Sequence, residues 1–231
     1  MNKRILLKLS GEALAGVGDK RIDFEKLINL ANVIKRINER GVEIAIVVGG
    51  GNFFRGRNTR EMDRVTSDHI GMLATVMNAL ALNDALLQVG VESRVQTSIE
   101  MREIAELYIR DRAIKHLEKG RVVIFGCGIG SPYFSTDMAA ALRASEIKAD
   151  IILKATNIDY LYTKDPRKYT DFEIIKETSH LRAIKDKLSV MDIPAISLCM
   201  ENNMPIRIFN INNVENLERA IFKEDIGSLI K

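Results

Sequence analysis

Short apolar runs alternate with longer amphipathic stretches along this chain, and no other feature limits its fold as strongly. The apolar runs predict buried strands, and the stretches with apolar residues at helical spacing predict helices. Strands joined by helical crossovers form a mostly parallel sheet with helices on both faces, so the sequence predicts the α/β class. The predicted strands are 5–9, 42–48, 91–97, 121–125, 151–153 and 206–211, and the predicted helices are 24–40, 67–89, 101–119, 137–148 and 215–223.

Glycines separate several of the predicted helices from the strands that follow them. Gly41, Gly90 and Gly120 each end a predicted helix and directly precede a predicted strand. Glycine accepts the left-handed conformation that closes a helix, so these positions favour sharp helix-to-strand turns. The sequence has no Pro- or Ser-rich linker and no internal repeat, and we therefore expect one domain over residues 1–231.

Composition excludes several classes of protein. The 231 residues are 46% hydrophobic and 28% charged, with a net charge of +3 and no long Lys/Arg run, so no nucleic-acid surface is required. The N-terminal apolar stretch is too short for a signal peptide, and no apolar run reaches membrane-spanning length. We therefore expect a cytoplasmic protein that does not associate with a membrane. Cys127 and Cys199 form no CxxC pair and read as buried apolar residues. His116 and His180 lack partners at metal-ligand spacing; we expect surface histidines and no protein-held metal.

Four predicted strands are followed by glycine-rich or polar segments: 8–11, 49–56, 126–132 and 154–157. The carboxyl ends of parallel strands meet at one edge, where α/β proteins bind ligands. Glycines let backbone N–H groups approach phosphate oxygens, and Lys8 and Arg55 supply cations beside them. One glycine pair alone would indicate only a tight turn, but three glycine-rich ends together favour a phosphate site.

The common nucleotide-binding signatures are missing. The chain has no GxxxxGK[ST] sequence, so it is not a P-loop enzyme. The segment from Gly126 fails the GxGxxG pattern at its last position, and the segment from Gly49 fails it too. A dinucleotide site would also require an acidic residue about 20 residues later, at the end of a second strand, whereas Glu43 precedes its glycine-rich segment.

Three further segments carry polar residues, and the first two allow two interpretations each. Thr136 or Asp137 could cap the helix that follows, or could place a hydroxyl and a carboxylate at the phosphate edge. Asp165 and the proline after it indicate a turn, although a loop that also carries Tyr162 suits a purine and its ribose. Ser67 or Asp68 could cap a long helix.

Six motifs occur together in a characteristic order: KLSGE at 8–12, GGGN at 49–52 with Arg55-Gly56, DHIGMLAT at 68–75, TDMAA at 136–140, KAT at 154–156 and VMD at 190–192. In this combination the chain resembles the bacterial UMP kinases of the amino acid kinase superfamily, from about Lys3 to Leu229. KLSGE and GGGN are typical of the whole superfamily. The DHIGMLATVMN block is more specific, and it favours UMP kinases over acetylglutamate, aspartate and carbamate kinases.

The resemblance implies a three-layer α/β/α fold and the reaction ATP + UMP → ADP + UDP with Mg²⁺, a step in pyrimidine nucleotide biosynthesis. It also implies a homohexamer, with GTP as activator and UTP as inhibitor in many members. The N-terminal part would bind mainly UMP and the C-terminal part mainly ATP. The implied ATP-binding residues are Lys8, Leu9, Ser10, Gly11, Gly51, Arg55, Thr156, Asn157, Tyr162 and Asp165. The implied UMP-binding residues are Gly50, Arg55, Asp68, Ile129, Gly130, Ser131, Pro132, Tyr133, Phe134, Ser135 and Thr136, and the implied catalytic residues are Lys8, Arg55, Asp137 and Asp192.

The chain departs from its relatives in two places. Segment 14–22 and the segment after Tyr169 are compact, which leaves GTP control open. The amino-acid-phosphorylating relatives have a second lysine near the position of Met191 and Asp192, and Lys154 is a candidate to replace it. Two other functions fit the motifs less well: a kinase of a carboxylate or carbamate, and a non-catalytic nucleotide- or oxyanion-binding protein.

Overall fold

The computed structural model describes residues 4–54, 61–164, 169–223 and 226–231. Strands and helices alternate along them much as the sequence predicts. In chain order the elements are β1 (Arg4–Leu9), α1 (Gly11–Leu14), α2 (Phe24–Glu39), β2 (Glu43–Val48), α3 (Arg64–Gln88), β3 (Ser93–Thr97), β4 (Glu106–Leu107), α4 (Arg110–Glu118), β5 (Val122–Gly126), α5 (Thr136–Glu146), β6 (Ile151–Thr156), β7 (Leu161–Tyr162), β8 (Ile174–Ile175), β9 (Glu177–Thr178), α6 (His180–Lys185), α7 (Ile193–Glu201), β10 (Ile206–Asn210), α8 (Asn216–Phe222) and β11 (Ser228–Ile230).

Nine of the strands form one sheet in the order β4-β3-β5-β2-β1-β6-β10-β11-β9. Every neighbouring pair is parallel except β10 and β11, which run antiparallel. Strands β7 and β8 form a separate antiparallel ribbon. The carboxyl ends of β1, β2, β5 and β6 therefore meet at one edge, which places the four glycine-rich or polar segments together, as predicted.

Helices cover both faces of the sheet, because side chains in a strand point alternately to either face. In β1, Ile5, Leu7 and Leu9 pack with the apolar faces of α2, α3 and α8. Leu6, between them, packs on the opposite face with α4, α5, α6 and α7. This is the three-layer α/β/α arrangement that the resemblance implies.

The helix-to-strand turns are confirmed, and one predicted helix is partly wrong. Gly41, Gly90 and Gly120 have φ of 80°, 84° and 75°, the left-handed conformation expected after a helix. The predicted helix 101–119 exists only as Arg110–Glu118. Its first half instead contains β4, which pairs with β3 at the sheet edge (residues 96–97 opposite 106–107). Pairing with the sheet here overrides a local pattern that suggested a helix.

The cap assignments are corrected by hydrogen bonds. Helix α3 begins at Arg64, and its cap is Asp63, whose Oδ2 accepts from Thr66 N at 3.0 Å, so neither Ser67 nor Asp68 is a cap. Helix α5 is capped by Ser135, whose Oγ accepts from Met138 N at 3.0 Å, so the cap is neither Thr136 nor Asp137. The sequence analysis also missed α6 and α7.

The histidine prediction is wrong and the cysteine prediction is confirmed. His180 is buried, with its Nε2 2.9 Å from the carbonyl of Met204. His116 lies 3.0 Å from Glu106 Oε2, so it is held against β4 rather than extending into solvent. Both thiols, Cys127 and Cys199, are buried, and burial raises the pKa of each. Isolated polar residues such as these histidines carry no periodic signal, and only the fold reveals their partners.

Among the described helices, only α3 has the length and apolar composition of a membrane span. Half of its most apolar window is buried inside the fold, as in the core helix of a globular protein. Its composition is therefore weak evidence for a membrane.

Candidate active site

A cavity of about 480 Å³ lies at the carboxyl ends of β1, β2 and β5. Backbone from the glycine-rich segment after β2 forms one side of it, and the N-termini of α5 and α7 approach the other. Most of the sequence-predicted acceptor and catalytic residues converge here. The predicted residues that line it are Lys8, Gly50, Gly51, Asp68, Ile129, Ser131, Phe134, Ser135, Thr136, Asp137 and Asp192.

Three side chains of alternating charge, Lys8, Asp137 and Lys154, form a stack beside this cavity. Asp137 is between two lysines, with Oδ1 3.0 Å from Lys8 Nζ and Oδ2 3.0 Å from Lys154 Nζ. Burial alone would raise the pKa of the Asp137 carboxyl, but the charges of Lys8 and Lys154 outweigh it and hold the pKa below its ordinary value. Burial lowers the pKa of the Lys154 ammonium, and Asp137 only partly offsets this.

The two lysines of this stack differ in what they can reach. Lys8 lines the cavity, so its ammonium can meet a bound anion. Lys154 lies behind Asp137, where it also donates to the carbonyl of Val190, and it is not among the described residues lining the cavity. Its contacts make Lys154 a support for Asp137 and the Val190 backbone.

Asp192 joins the starts of α5 and α7. Its Oδ1 accepts from Ala195 N at 3.0 Å and caps α7, while its Oδ2 accepts from the Ser135 hydroxyl. Ser135 itself caps α5. Both helix starts bring a positive dipole end toward the cavity, which favours a negatively charged ligand.

Buried amides fix the glycine-rich segment after β2. Asn52 and Asn78 exchange side-chain hydrogen bonds of 2.9 and 2.7 Å, and Asn78 Nδ2 also donates to the Gly49 carbonyl at 2.7 Å. A Cβ at Gly50 would lie 2.8 Å from Ala74 Cβ and from the carbonyl of Gly71. Helix α3 therefore sets the path of this segment, and it can pack this closely only because position 50 has no side chain.

The loop after β5 is held by polar contacts from both sides. The Cys127 N–H donates to Thr75 Oγ1 at 2.8 Å, and Ser98 Oγ donates to the Gly128 carbonyl at 2.8 Å. Gly128 and Gly130 have φ of 55° and 86°, so the loop makes repeated left-handed turns that glycine accepts without strain. These contacts shape the wall formed by Ile129–Thr136.

Several residues of the cavity were missed by the sequence analysis, above all Arg64 and Thr75. Arg64 is the first residue of α3, and its Nε donates to Asp68 Oδ2 at 2.8 Å. The four-residue spacing of these two charges is typical of an ion pair on one face of a helix. The sequence does not predict this pair, because the predicted helix begins at residue 67, three residues after the observed start of α3.

A second cavity, of about 510 Å³, adjoins β7 and the segment 186–189. Of the predicted ATP-binding residues, Asn157 and Tyr162 line it, and the Tyr162 ring packs edge-on against Phe172 with centroids 5.3 Å apart. Lys164 and Lys187 line it together with Asp159 and Asp186, so its wall carries charges of both signs. An aromatic ring beside polar and cationic groups is suited to a nucleoside.

The remaining predicted site residues lie elsewhere. Leu9 is fully buried in the core, and Ser10 caps α1 through Ala13 N at 3.3 Å. Thr156 Oγ1 accepts from Ile158 N at 3.3 Å, which stabilises the turn after β6. Gly11, Gly130, Pro132 and Tyr133 adjoin the first cavity but are not among the described residues that line it. Arg55 and Asp165 lie outside the described residues.

Comparisons with known proteins place these features in context. The model of the amino acid kinase family matches residues 3–210. The structure is similar to UMP kinase from Bacillus anthracis, with 38% identity and a TM-score of 0.95 over 99% of this chain and 96% of that one. It is also similar to UMP kinase from Ureaplasma parvum, with 35% identity and a TM-score of 0.92 over 100% and 99% of the two chains. Uridylate kinase from Archaeoglobus fulgidus is 25% identical, with a TM-score of 0.76 over 98% and 99%.

Proposed function

The chain belongs to the amino acid kinase family and is a phosphotransferase, and from this premise we propose that it transfers the γ-phosphoryl group of ATP to UMP, forming ADP and UDP. One observation carries the proposal. Most of the predicted acceptor and catalytic residues line a single cavity in a fold that two bacterial UMP kinases share over nearly their whole lengths.

We assign the two substrates to the two cavities. UMP would occupy the first cavity, between Asp68 and the loop Ile129–Thr136, with its phosphate toward Gly50. The ATP nucleoside would occupy the second cavity beside Tyr162, with its phosphates extending toward Lys8 and Gly51. The N-terminal part of this single domain would then bind mainly UMP and the C-terminal part mainly ATP. Arg55 would add a charge-assisted contact to both phosphate groups.

The proposed chemistry needs positioning and charge neutralisation. The acceptor is a phosphate oxygen that is already ionised at neutral pH, so no general base has to remove a proton. Lys8 would stabilise negative charge on the transferred group, and the dipole ends of α5 and α7 would add to this effect. Asp137 would keep the Lys8 ammonium at its 3.0 Å position, and Lys154 would act through Asp137.

The donor would be the Mg²⁺ complex of ATP. Among the described residues, no group of three or more His, Cys, Asp or Glu side chains is arranged to hold a metal. Lys8 and Lys154 contact the Asp137 carboxylate, and Ser135 and Ala195 contact that of Asp192. This donor set suits an ion held mainly by nucleotide phosphates and water. When bound, Mg²⁺ would supply positive charge that offsets the negative charge of the nucleotide phosphates.

We further propose a homohexamer in the cytoplasm, working in pyrimidine nucleotide biosynthesis. Support for assembly comes from α3, where Leu73, Met77, Leu80 and Leu87 are exposed. Their spacing places them on one side of the helix, as a stripe that a second copy could cover. GTP and UTP are proposed effectors, and their action on this chain is to be measured directly.

The proposed reaction is tested with a coupled assay of ADP release in the presence of Mg²⁺ and ATP. The acceptors are UMP, CMP, dUMP and glutamate, each with the purified protein in its native assembly. We expect kcat/KM for UMP to exceed that for CMP and for glutamate by about tenfold or more, the discrimination available when polar groups of the site match one base. Preference for glutamate would instead indicate an amino acid kinase, and release of no ADP with any acceptor would indicate a binding protein.

A further inference from the structure

Arg64 occupies a position that helix electrostatics disfavour. It is the first residue of α3, and the start of a helix carries partial positive charge, so a cation there is unfavourable. Asp63, directly before it, already caps the helix. A residue that breaks a local rule at a cavity wall is a candidate for a functional role, and Arg64 lines the first cavity.

The contacts of Arg64 connect two separate walls of that cavity. Asp68 Oδ2 accepts from Arg64 Nε at 2.8 Å and from the backbone N–H of Tyr133 at 2.7 Å. The Arg64 guanidinium also lies over the Tyr133 ring, with 5.5 Å from Cζ to the centroid. Arg64 and Asp68 belong to α3, whereas Tyr133 belongs to the loop after β5.

Tyr133 is held in a conformation that a tyrosine rarely adopts by itself. Its φ is 72°, in the left-handed region, and 68% of its surface is exposed. Packing in the core therefore contributes little to this backbone geometry. Its described contacts are with the Asp68 carboxylate and the Arg64 guanidinium. Both belong to α3, and they stabilise the strained backbone conformation of Tyr133.

We propose that Arg64, Asp68 and Tyr133 form a latch that holds the loop after β5 against α3 before the acceptor binds. Arg64 is the positioning residue of this latch: it orients the Asp68 carboxylate and stacks on Tyr133, and it acts on the substrate through them. The link with acceptor affinity rests on the proposed function, because that function assigns UMP to this half of the cavity. A wall fixed in advance reduces the ordering that binding would otherwise require.

The first test needs no substrate. Amide hydrogen exchange at Tyr133 is measured in the ligand-free protein, in the wild type and in Arg64→Gln. We expect the substitution to accelerate exchange about threefold to tenfold, because local opening of the loop becomes easier. Arg36→Gln is the matched control, since Arg36 also pairs with carboxylates and its side chain is 44% exposed against 45% for Arg64. Equal exchange at Tyr133 in wild type and Arg64→Gln would overturn the latch.

The second test separates a positioning role from direct substrate contact. Arg64→Gln is expected to raise KM for UMP about fivefold and to leave kcat and KM for ATP within about twofold, with Arg64→Lys between it and the wild type. Asp68→Asn and the double variant complete a thermodynamic cycle. Because Arg64 acts mainly through Asp68, the double variant should lose less than the sum of the two single losses.

Additive losses in that cycle would overturn the positioning role, as would an unchanged KM for UMP in Arg64→Gln. A wild type that does not turn over UMP would refute the proposed function. In that case the exchange rate at Tyr133 still decides whether the latch exists.

Discussion

Asp137 is the residue on which the electrostatics of the first cavity depend. It has a lysine on either side, each 3.0 Å from one of its carboxylate oxygens. In a partly buried site such a carboxylate must stay ionised, because a neutral side chain would leave two ammonium groups close together with nothing between them. Asp137 Oδ1 then holds the Lys8 ammonium at 3.0 Å, at the edge where the phosphoryl group would move.

The charge of Asp137 makes a testable contribution to stability. In the folded protein the pKa of the Asp137 carboxyl lies below its ordinary value. The ionised carboxylate therefore contributes its full stabilisation at pH values above the unfolded-state pKa of about 3.9. This stabilisation is lost as the pH falls through the lower pKa of the folded state. We expect the wild type to melt at a higher temperature than Asp137→Asn at pH 7. The difference should shrink as the pH falls below about 4.

Thermal unfolding followed from pH 7 downwards checks this expectation. Asp171→Asn is a suitable control, since among the described residues Asp171 pairs with Lys164 at an exposed position, and its loss should change the melting temperature little at any pH. A melting-temperature difference between wild type and Asp137→Asn that stays constant or widens on acidification would contradict the assignment.

At the scale of elements, the strand ends and the helix starts behind them build the site. The carboxyl ends of β1, β2 and β5 supply backbone and Lys8, and α5 and α7 begin at the opposite side of the cavity. Their caps are cross-connected, because Ser135 of the first donates to Asp192 of the second. The geometry of one element therefore depends on the position of the next.

In the segment after β2, Gly50 is needed for packing against α3 and Gly51 would allow close approach of phosphate, so substitutions at the two positions should have different effects. A Cβ at position 50 would lie 2.8 Å from Ala74 Cβ of α3, so Gly50→Ala should destabilise the fold by about 1–3 kcal/mol. A Cβ at position 51 has no neighbour closer than 3.8 Å, so Gly51→Ala should keep the wild-type stability. It should nevertheless raise KM for ATP, since a methyl group blocks close approach of phosphate to the backbone.

Denaturant unfolding and steady-state kinetics of the two alanine variants measure these effects. Each variant is the control of the other, because the substitutions are identical and adjacent. Equal losses of stability at both positions would contradict the packing argument, and an unchanged KM for ATP in Gly51→Ala would contradict the binding one.

How far the sequence predicts this site depends on the kind of signal each residue carries. Gly50, Gly51 and Lys8 could be placed at the cavity because the carboxyl ends of parallel strands meet at one edge, where α/β proteins bind ligands. Leu9 and Thr156 belong to the same motifs but face the core or a turn, and a motif does not say which of its side chains reaches the cavity. Arg64 needed the true start of α3, an element boundary that local patterns place poorly.

The same limits apply to the whole fold. The order of strands and helices and the open edge follow from apolar periodicity and helix-ending glycines such as Gly90. Strand β4 could not be predicted, because its two residues, Glu106 and Leu107, become a strand only by pairing with β3. Long-range pairing of this kind leaves no local periodic pattern.

At the scale of the whole molecule, the apolar stripe of α3 predicts assembly. Leu73 and Met77, 52% and 44% exposed, would be covered by a second copy in the proposed homohexamer. We expect the wild type to have a mass six times the 26.0 kDa of the chain, and the double variant Leu73→Glu/Met77→Glu to give smaller species, because burying two carboxylates in an apolar interface is unfavourable.

Light scattering coupled to size-exclusion chromatography measures these masses. Leu181→Glu is the control, since Leu181 is 65% exposed on α6, away from the stripe, and should leave the assembly intact. A double variant with the mass of the wild type would contradict the role of α3 in assembly.

The central claim is that this protein moves a phosphoryl group from ATP to UMP, and the most direct test is to identify the product. Purified protein is incubated with ATP, UMP and Mg²⁺, and the nucleotides are resolved by ³¹P NMR over time. We expect UDP and ADP to appear in equal amounts, and Lys8→Met to slow the formation of both by about a hundredfold or more, as loss of a charge aimed at the transferred group allows. Inorganic phosphate and ADP without UDP, or no change in UMP, would contradict it.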